Sequence, residues 1–162
     1  MRDILLDNTG DVIINNNDVQ LVSGKELTRQ KVKLVLSTNK GEWLLNEQDG
    51  INFKVMLVKK HNEDEVMDTI RDGLRQIDET FVIEEYNIQT INRKLIVEFK
   101  AVNADGEELR LAVGEGQATT ENGEVRDILI CGLSADEILR SGSALDALRI
   151  CVEDETVFVG DI

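Results

Sequence analysis

The spacing of apolar residues changes twice along this chain, and that change limits the folds open to it. Ile4-Leu5-Leu6, Val12-Ile13-Ile14 and Val19 to Val22 are short apolar runs, separated by Asp7-Asn8-Thr9-Gly10-Asp11 and by Asn15-Asn16-Asn17-Asp18. Asn, Asp and Gly cap their own backbone or tolerate positive φ, so both separators read as turns and the segment as a three-stranded meander. From Ser23 the period becomes helical. Ser23 with Glu26 fits a capping box, Leu27, Leu34 and Val35 share a stripe with Lys31, and the helix should end near Thr38. A second helix is predicted from Asp64 to Ile77, where Val66, Ile70, Leu74 and Ile77 are spaced by 4, 4 and 3. Alternation then returns. Strands are expected at Thr80 to Ile83, Tyr86 to Ile91, Lys94 to Val102 and Glu108 to Val113, with turns at Asn92-Arg93 and Asn103 to Gly106. The order β-β-β-α-α-β-β-β indicates an α+β fold, a mostly antiparallel sheet with two helices packed on it.

Beyond Val113 the texture is different. Residues 114–123, Gly-Glu-Gly-Gln-Ala-Thr-Thr-Glu-Asn-Gly, offer little to bury and read as a linker. The expected division is a domain at 1–113, a linker at 114–123 and an acidic C-terminal appendage at 124–162 that docks on the domain or on a partner. Within the appendage, Val125 to Ile130 reads as a strand, Ser134 to Arg140 as a capped helix, Ser143 to Ile150 as a further short helix and Val157 to Val159 as a closing strand.

Charge narrows the partners. The 162 residues carry 32 acids and 18 Lys or Arg, a formal charge of −14. Residues 1–60 hold nine bases and eight acids, residues 61–115 six and fourteen, and residues 116–162 three and ten. Nucleic acid and anionic membranes both need clustered cations, so neither is an expected partner. No apolar run is long enough for a transmembrane helix, and the charged start MRDILLD is wrong for a signal peptide. Cytoplasmic residence follows as the expectation. Cys131 and Cys151 lack metal-type spacing and read as reduced packing residues.

The chemistry-bearing residues are few. His61 is the single histidine and stands in the polar run Lys59-Lys60-His61-Asn62-Glu63-Asp64-Glu65, where a solvated loop position is expected. With one His and no CxxC a zinc site is not expected, and no GxSxG, GxxxxGK[ST] or GxGxxG is present. No catalytic residue, cofactor or metal is assigned. Trp43, beside Leu44 and Leu45, is expected to anchor the segment between the helices by burial against the sheet.

Taken together, Gly10-Asp11, the helix from Leu27 to Thr38, Gly41-Glu42-Trp43-Leu44-Leu45-Asn46 and Gly50-Ile51 resemble the small baseplate wedge, or sheath-initiator, family of contractile phage tails. That family includes the small wedge protein of T-even phages, once labelled an acidic lysozyme, and prophage baseplate proteins of Gram-positive hosts. The resemblance covers about residues 1–113. It implies a structural subunit of a phage or prophage tail baseplate, located in the virion tail and in the host cytoplasm during assembly. Its implied partners are tube, sheath or wedge subunits, with a homo-oligomer open. One motif departs. Where many members carry Glu-Pro-Arg before a strand, this chain has Asp78-Glu79-Thr80.

The lysozyme label calls for two carboxylates acting on one sugar. With 32 acids any pair can be nominated, and adjacent acids such as Glu84 and Glu85 point to opposite faces of a strand. A structural role is therefore expected over an enzymatic one, the alternative being an acidic adaptor or binding module. The interface candidates are the cationic helix positions Lys25, Arg29 and Lys33, with Lys40, Glu42 and Trp43 after the helix and Asp78 and Glu79 at the variant motif. Lys25, Arg29, Lys31 and Lys33 also form the expected receiver for the acidic appendage, on the same chain or in a neighbouring copy.

Overall fold

A computed structural model describes residues 1–7, 10–119, 125–132 and 135–140. The expected α+β architecture is present. Four short strands come first: β1 (Arg2–Ile4), β2 (Ile14–Asn15), β3 (Asp18–Val19) and β4 (Leu21–Ser23). β1 pairs with β4 and β2 with β3, both antiparallel, and the bridge Leu6 to Val12 links the two pairs, so the first run pairs with the last and a three-way sheet stands in place of the expected meander. Asn16 and Asn17 make the tight turn with φ of 52° and 61°, a conformation that Asn tolerates better than most side chains. Next come α1 (Gly24–Leu36), a single turn α2 (Phe53–Met56) and α3 (Glu63–Arg75). The main sheet is antiparallel, in the order β5 (Val82–Ile91), β6 (Lys94–Val102), β7 (Glu108–Thr119) and β8 (Val125–Cys131), and α4 (Ala135–Arg140) follows.

The core lies between the helices and one face of this sheet. Leu95, Val97, Phe99 and Ala101 of β6 and Leu109, Leu111 and Val113 of β7 meet Val32 and Leu36 of α1 and Val66, Ile70 and Leu74 of α3. The α3 stripe matches its spacing in the sequence. Gly73 lets α3 approach closely, because a Cβ there would come 2.8 Å from Ile51 Cγ2 and 2.9 Å from Leu36 Cδ2. In α1 the buried residues are Leu27, Val32 and Leu36, while Leu34 and Val35 are half-buried. Ser23 occupies the N-cap position of α1 but its side chain makes no capping bond, so the expected capping box is not formed. Thr80 to Ile83 and Tyr86 to Ile91 do not form two strands. They make one strand, β5, with a bulge between Ile83 and Glu85.

Three further expectations are corrected. Residues 114–119 are not linker: they continue β7, and Val113 to Thr119 pair with β8 from Cys131 to Val125. Gly114 has a packing reason that composition hides. A Cβ there would stand 2.8 Å from Ile138 Cγ2 and 3.1 Å from the Leu95 carbonyl oxygen, so glycine lets α4 settle on the face of the sheet away from α1 and α3. Leu129, Ile130, Cys131 and Ile138 are all buried, so sheet and core extend past residue 113. The rest of the expected linker, the Ser134 cap, and the helix and strand expected at 143–150 and 157–159 lie outside the described residues, as does Cys151. The second correction is His61. Its side chain is only 7% exposed, with Nε2 3.5 Å from Oε1 of Glu115 on β7. Burial lowers its pKa, opposed by the backbone of Val55. The third is Trp43, which is half in solvent and not in the core, whereas Ile51 and Met56, later in the same stretch, are buried in it.

Candidate functional site

The segment between α1 and α2 doubles back on itself and is closed by backbone hydrogen bonds. Ile51 N–H donates to the Thr38 carbonyl at 2.9 Å and Lys40 N–H to the Ile51 carbonyl at 3.0 Å. Inside this neck, Gly41 N–H donates to Glu47 O, Glu42 N–H to Asn39 O and Asn46 N–H to Trp43 O. Side chains add to the closure. Asn39 N–H donates to Glu42 Oε2 at 3.0 Å, and Asn46 Nδ2 to Asp49 Oδ1 at 2.6 Å. Gln76, just past α3, clamps the base from outside: its Oε1 accepts from Gly50 N–H at 3.0 Å and its Nε2 donates to Gly50 O at 2.9 Å. Gly50 sits at φ +94°, and a Cβ there would run into the Thr38 carbonyl, so this approach requires glycine.

The loop so held presents apolar side chains to solvent. Trp43 is 47% exposed, Leu44 90% and Leu45 84%. An exposed Trp with two exposed Leu neighbours on a hydrogen-bonded loop has the composition and preorganisation of a protein-binding anchor. Beside it lies a groove of about 660 Å³, whose lining includes Leu34 and Val35 of α1, Ile77 beyond α3, and Trp43 itself. Ser37 also lines it, and its buried hydroxyl has no hydrogen-bond partner among the described residues. Lys31 together with Glu42 and Asp49 gives the groove charges of both signs.

The eight candidate interface residues do not form one patch. Glu42 and Trp43 line the groove just described. Lys25 and Arg29 line a second, smaller depression with Phe81 and Glu107 to Arg110. Lys33 is half-buried with its stem over the end of β8: a Cβ on Gly132 would come 2.9 Å from Lys33 Cε. Lys33 and Arg29 act on Cys131 as positive charges, yet burial dominates and pushes this thiol up to about 12. The cationic helix thus meets β8 of its own chain. Lys40 and Glu79 are exposed. Asp78 is tied into its turn, its Oδ1 accepting from Thr80 N–H at 2.9 Å and from Thr80 Oγ1 at 2.7 Å, with Asn103 Nδ2 3.4 Å from Oδ2. The Thr80 hydrogen bonds hold its carboxyl below the usual range. Asp78 therefore has an architectural task at the position of the variant motif.

Trp43, with Leu44 and Leu45 beside it, is expected in the core from its sequence, and the structure exposes all three. The usable signal was local. The run Trp43-Leu44-Leu45 lies in a segment dense in Gly, Asn, Asp and Glu, which closes a turn and leaves little room to bury three large side chains. No group of three or more metal-ligating side chains occurs among the described residues, and no described helix is long and apolar enough to cross a membrane.

No curated protein matches the sequence. Among solved structures, the chain is similar to a crystal structure from Geobacter sulfurreducens that carries the label of a tail lysozyme. The identity is 12%, the TM-score 0.47, and the match covers 57% of this chain and 90% of the other. Residues 2–106 match the model of the contractile injection system sheath initiator, in agreement with the resemblance seen at Gly41 to Ile51. The chain therefore belongs to the contractile injection system sheath initiator family, and its role is a structural one in the tail of such a system.

Proposed function

We propose that this protein works in the baseplate region of a contractile tail as the subunit on which the sheath starts, through protein–protein contacts and without catalysis. The observation that carries this reading is the Trp43-Leu44-Leu45 loop: three large apolar side chains held in solvent by a closed hydrogen-bonded neck, within the span that matches the family. Such a loop, with the adjoining groove, suits a partner that offers an apolar cleft and a short apolar element of its own. The partners are tube, sheath or wedge subunits, and the place of action is the virion tail, with assembly in the host cytoplasm. Lys25, Arg29 and Lys40 then serve encounter and register more than affinity, because exposed charges steer association and are screened by salt.

The test is co-purification from cells expressing the tail proteins of the same cluster, with Leu44→Asp and Leu45→Asp combined. Both side chains are exposed, so the double variant should keep the far-UV spectrum and melting of the parent and lose the co-purifying tail proteins. Unchanged co-purification would remove the loop from the interface. A separate assay follows soluble fragments released from purified peptidoglycan; release that is abolished by mutating one acid would contradict the non-catalytic reading.

A further inference from the structure

The small amino-terminal sheet is apolar on both faces. In antiparallel pairing, directly opposed residues share a face and successive residues along a strand change face. Ile4 opposes Leu21, Leu6 opposes Val12 and Ile14 opposes Val19, so these six residues form one continuous face. The other face carries Leu5, Ile13, Gln20 and Val22, which are buried or half-buried where α1 packs against β1 and β4. Gln30 of α1 fastens the two elements, donating to Ile4 O at 2.9 Å and accepting from Leu6 N–H at 3.0 Å. The outward face has no cover among the described residues: Ile14 is 63% exposed and Leu21 58%, and Ile4, Val12 and Val19 are also exposed. Single exposed aliphatic residues are ordinary on a protein surface. Five in register on one small sheet are an interaction surface.

Charge decides what covers it. Residues 1–23 contain one base, Arg2, against Asp3, Asp7, Asp11 and Asp18, and all four acids are exposed. A second copy of this face would bring the same acidic rim. The chain's own residues 141–162 hold five acids and one base, so they are repelled as well. An anionic membrane is disfavoured on the same ground. We propose that this face docks a basic amphipathic segment of another polypeptide, with aliphatic residues along one side and Lys or Arg along its edges. The inference rests on this amino-terminal sheet alone and stands independently of the Trp43 loop.

The probe is a synthetic Leu/Lys amphipathic peptide about 18 residues long, with a Leu/Glu peptide of the same pattern as control. Each is titrated into the full chain, with methyl NMR to locate binding and calorimetry to measure it. The expected result is saturable binding of the Leu/Lys peptide, with shifts centred on Ile4, Val12, Ile14, Val19 and Leu21, and none for the Leu/Glu peptide. The variant Ile14→Asp with Leu21→Asp makes the chain more acidic, so attraction by charge alone should strengthen binding. Docking on the apolar face predicts the opposite, a loss of about tenfold or more. Binding to the variant that is equal or tighter, shifts spread over the acidic surface, or equal binding of the Leu/Glu peptide would each overturn the proposal. So would a dimer seen by sedimentation in the parent and abolished in the variant, since a second copy would then be the occupant. If the variant fails to fold, the methyl shifts of the parent still decide.

Discussion

Ending the chain after Val113 removes residues 114–119 of β7 together with β8 and α4, and the structure sets the size of the consequence. Leu129, Ile130 and Ile138 are lost from buried positions, along with Cys131. Burying a Leu or Ile side chain contributes about 1.5–3 kcal/mol, so the three aliphatic residues alone represent roughly 5–9 kcal/mol. The deletion also takes Gly114 from beside Ile96 in β6 and uncovers Ile96, which is fully buried on the α4 face. A domain of this size has a total stability of about 5–15 kcal/mol. The truncated chain is therefore expected to have no cooperative folded state, or one close to its midpoint in water. Urea denaturation followed by circular dichroism, together with an amide NMR spectrum, checks this. A chain ended after Arg140 is the control, because it keeps every buried residue named above. If residues 1–113 unfold cooperatively at the midpoint of the full chain, β8 and α4 are dispensable and the domain does end where the glycine-rich stretch begins.

Three further outcomes are expected. Trp43→Ala should cost less than about 2 kcal/mol in urea unfolding, short of the 3–5 kcal/mol typical of a buried Trp, because this side chain is half in solvent. His61 has a folded pKa below its usual 6.5, so the unfolded chain binds the extra proton first as pH falls. Its contribution is complete above pH 6.5 and is lost as pH falls from there toward the lowered folded value, a slope in melting temperature that His61→Asn should remove. In a Cys151→Ser background, a thiol reagent should label Cys131 only on unfolding, since the thiol is buried and its pKa is raised to about 12.

The elements that were legible in the sequence are those in which one local rule acts alone. The spacing of Val66, Ile70 and Leu74 fixes the buried face of α3, and the alternation from Lys94 to Val102 fixes β6 with its bounds. Asn92-Arg93 turns as expected, both residues at positive φ. What was not legible depends on contacts distant in sequence. Gly114 looks like linker until Ile138 is placed above it, and His61 looks solvated until Glu115 closes over it. Trp43 looks like core because apolar character does not say whether a side chain is buried within its own chain or against a partner. The amino-terminal strands do carry a local signal. Ile4-Leu5-Leu6 and Val12-Ile13-Ile14 are apolar at both parities, whereas a strand covered on one face needs only one. The departure at Asp78-Glu79-Thr80 has a local account, since Asp78 caps the turn through Thr80.

The most direct test of the structural role is cryo-electron microscopy of intact tails assembled with this protein. The expected density places the chain at the baseplate end of the first sheath ring, with Trp43, Leu44 and Leu45 buried against a neighbouring subunit. A chain found elsewhere in the particle, or in that place with the 43–45 loop still in solvent, would contradict the sheath-initiating contact proposed for it.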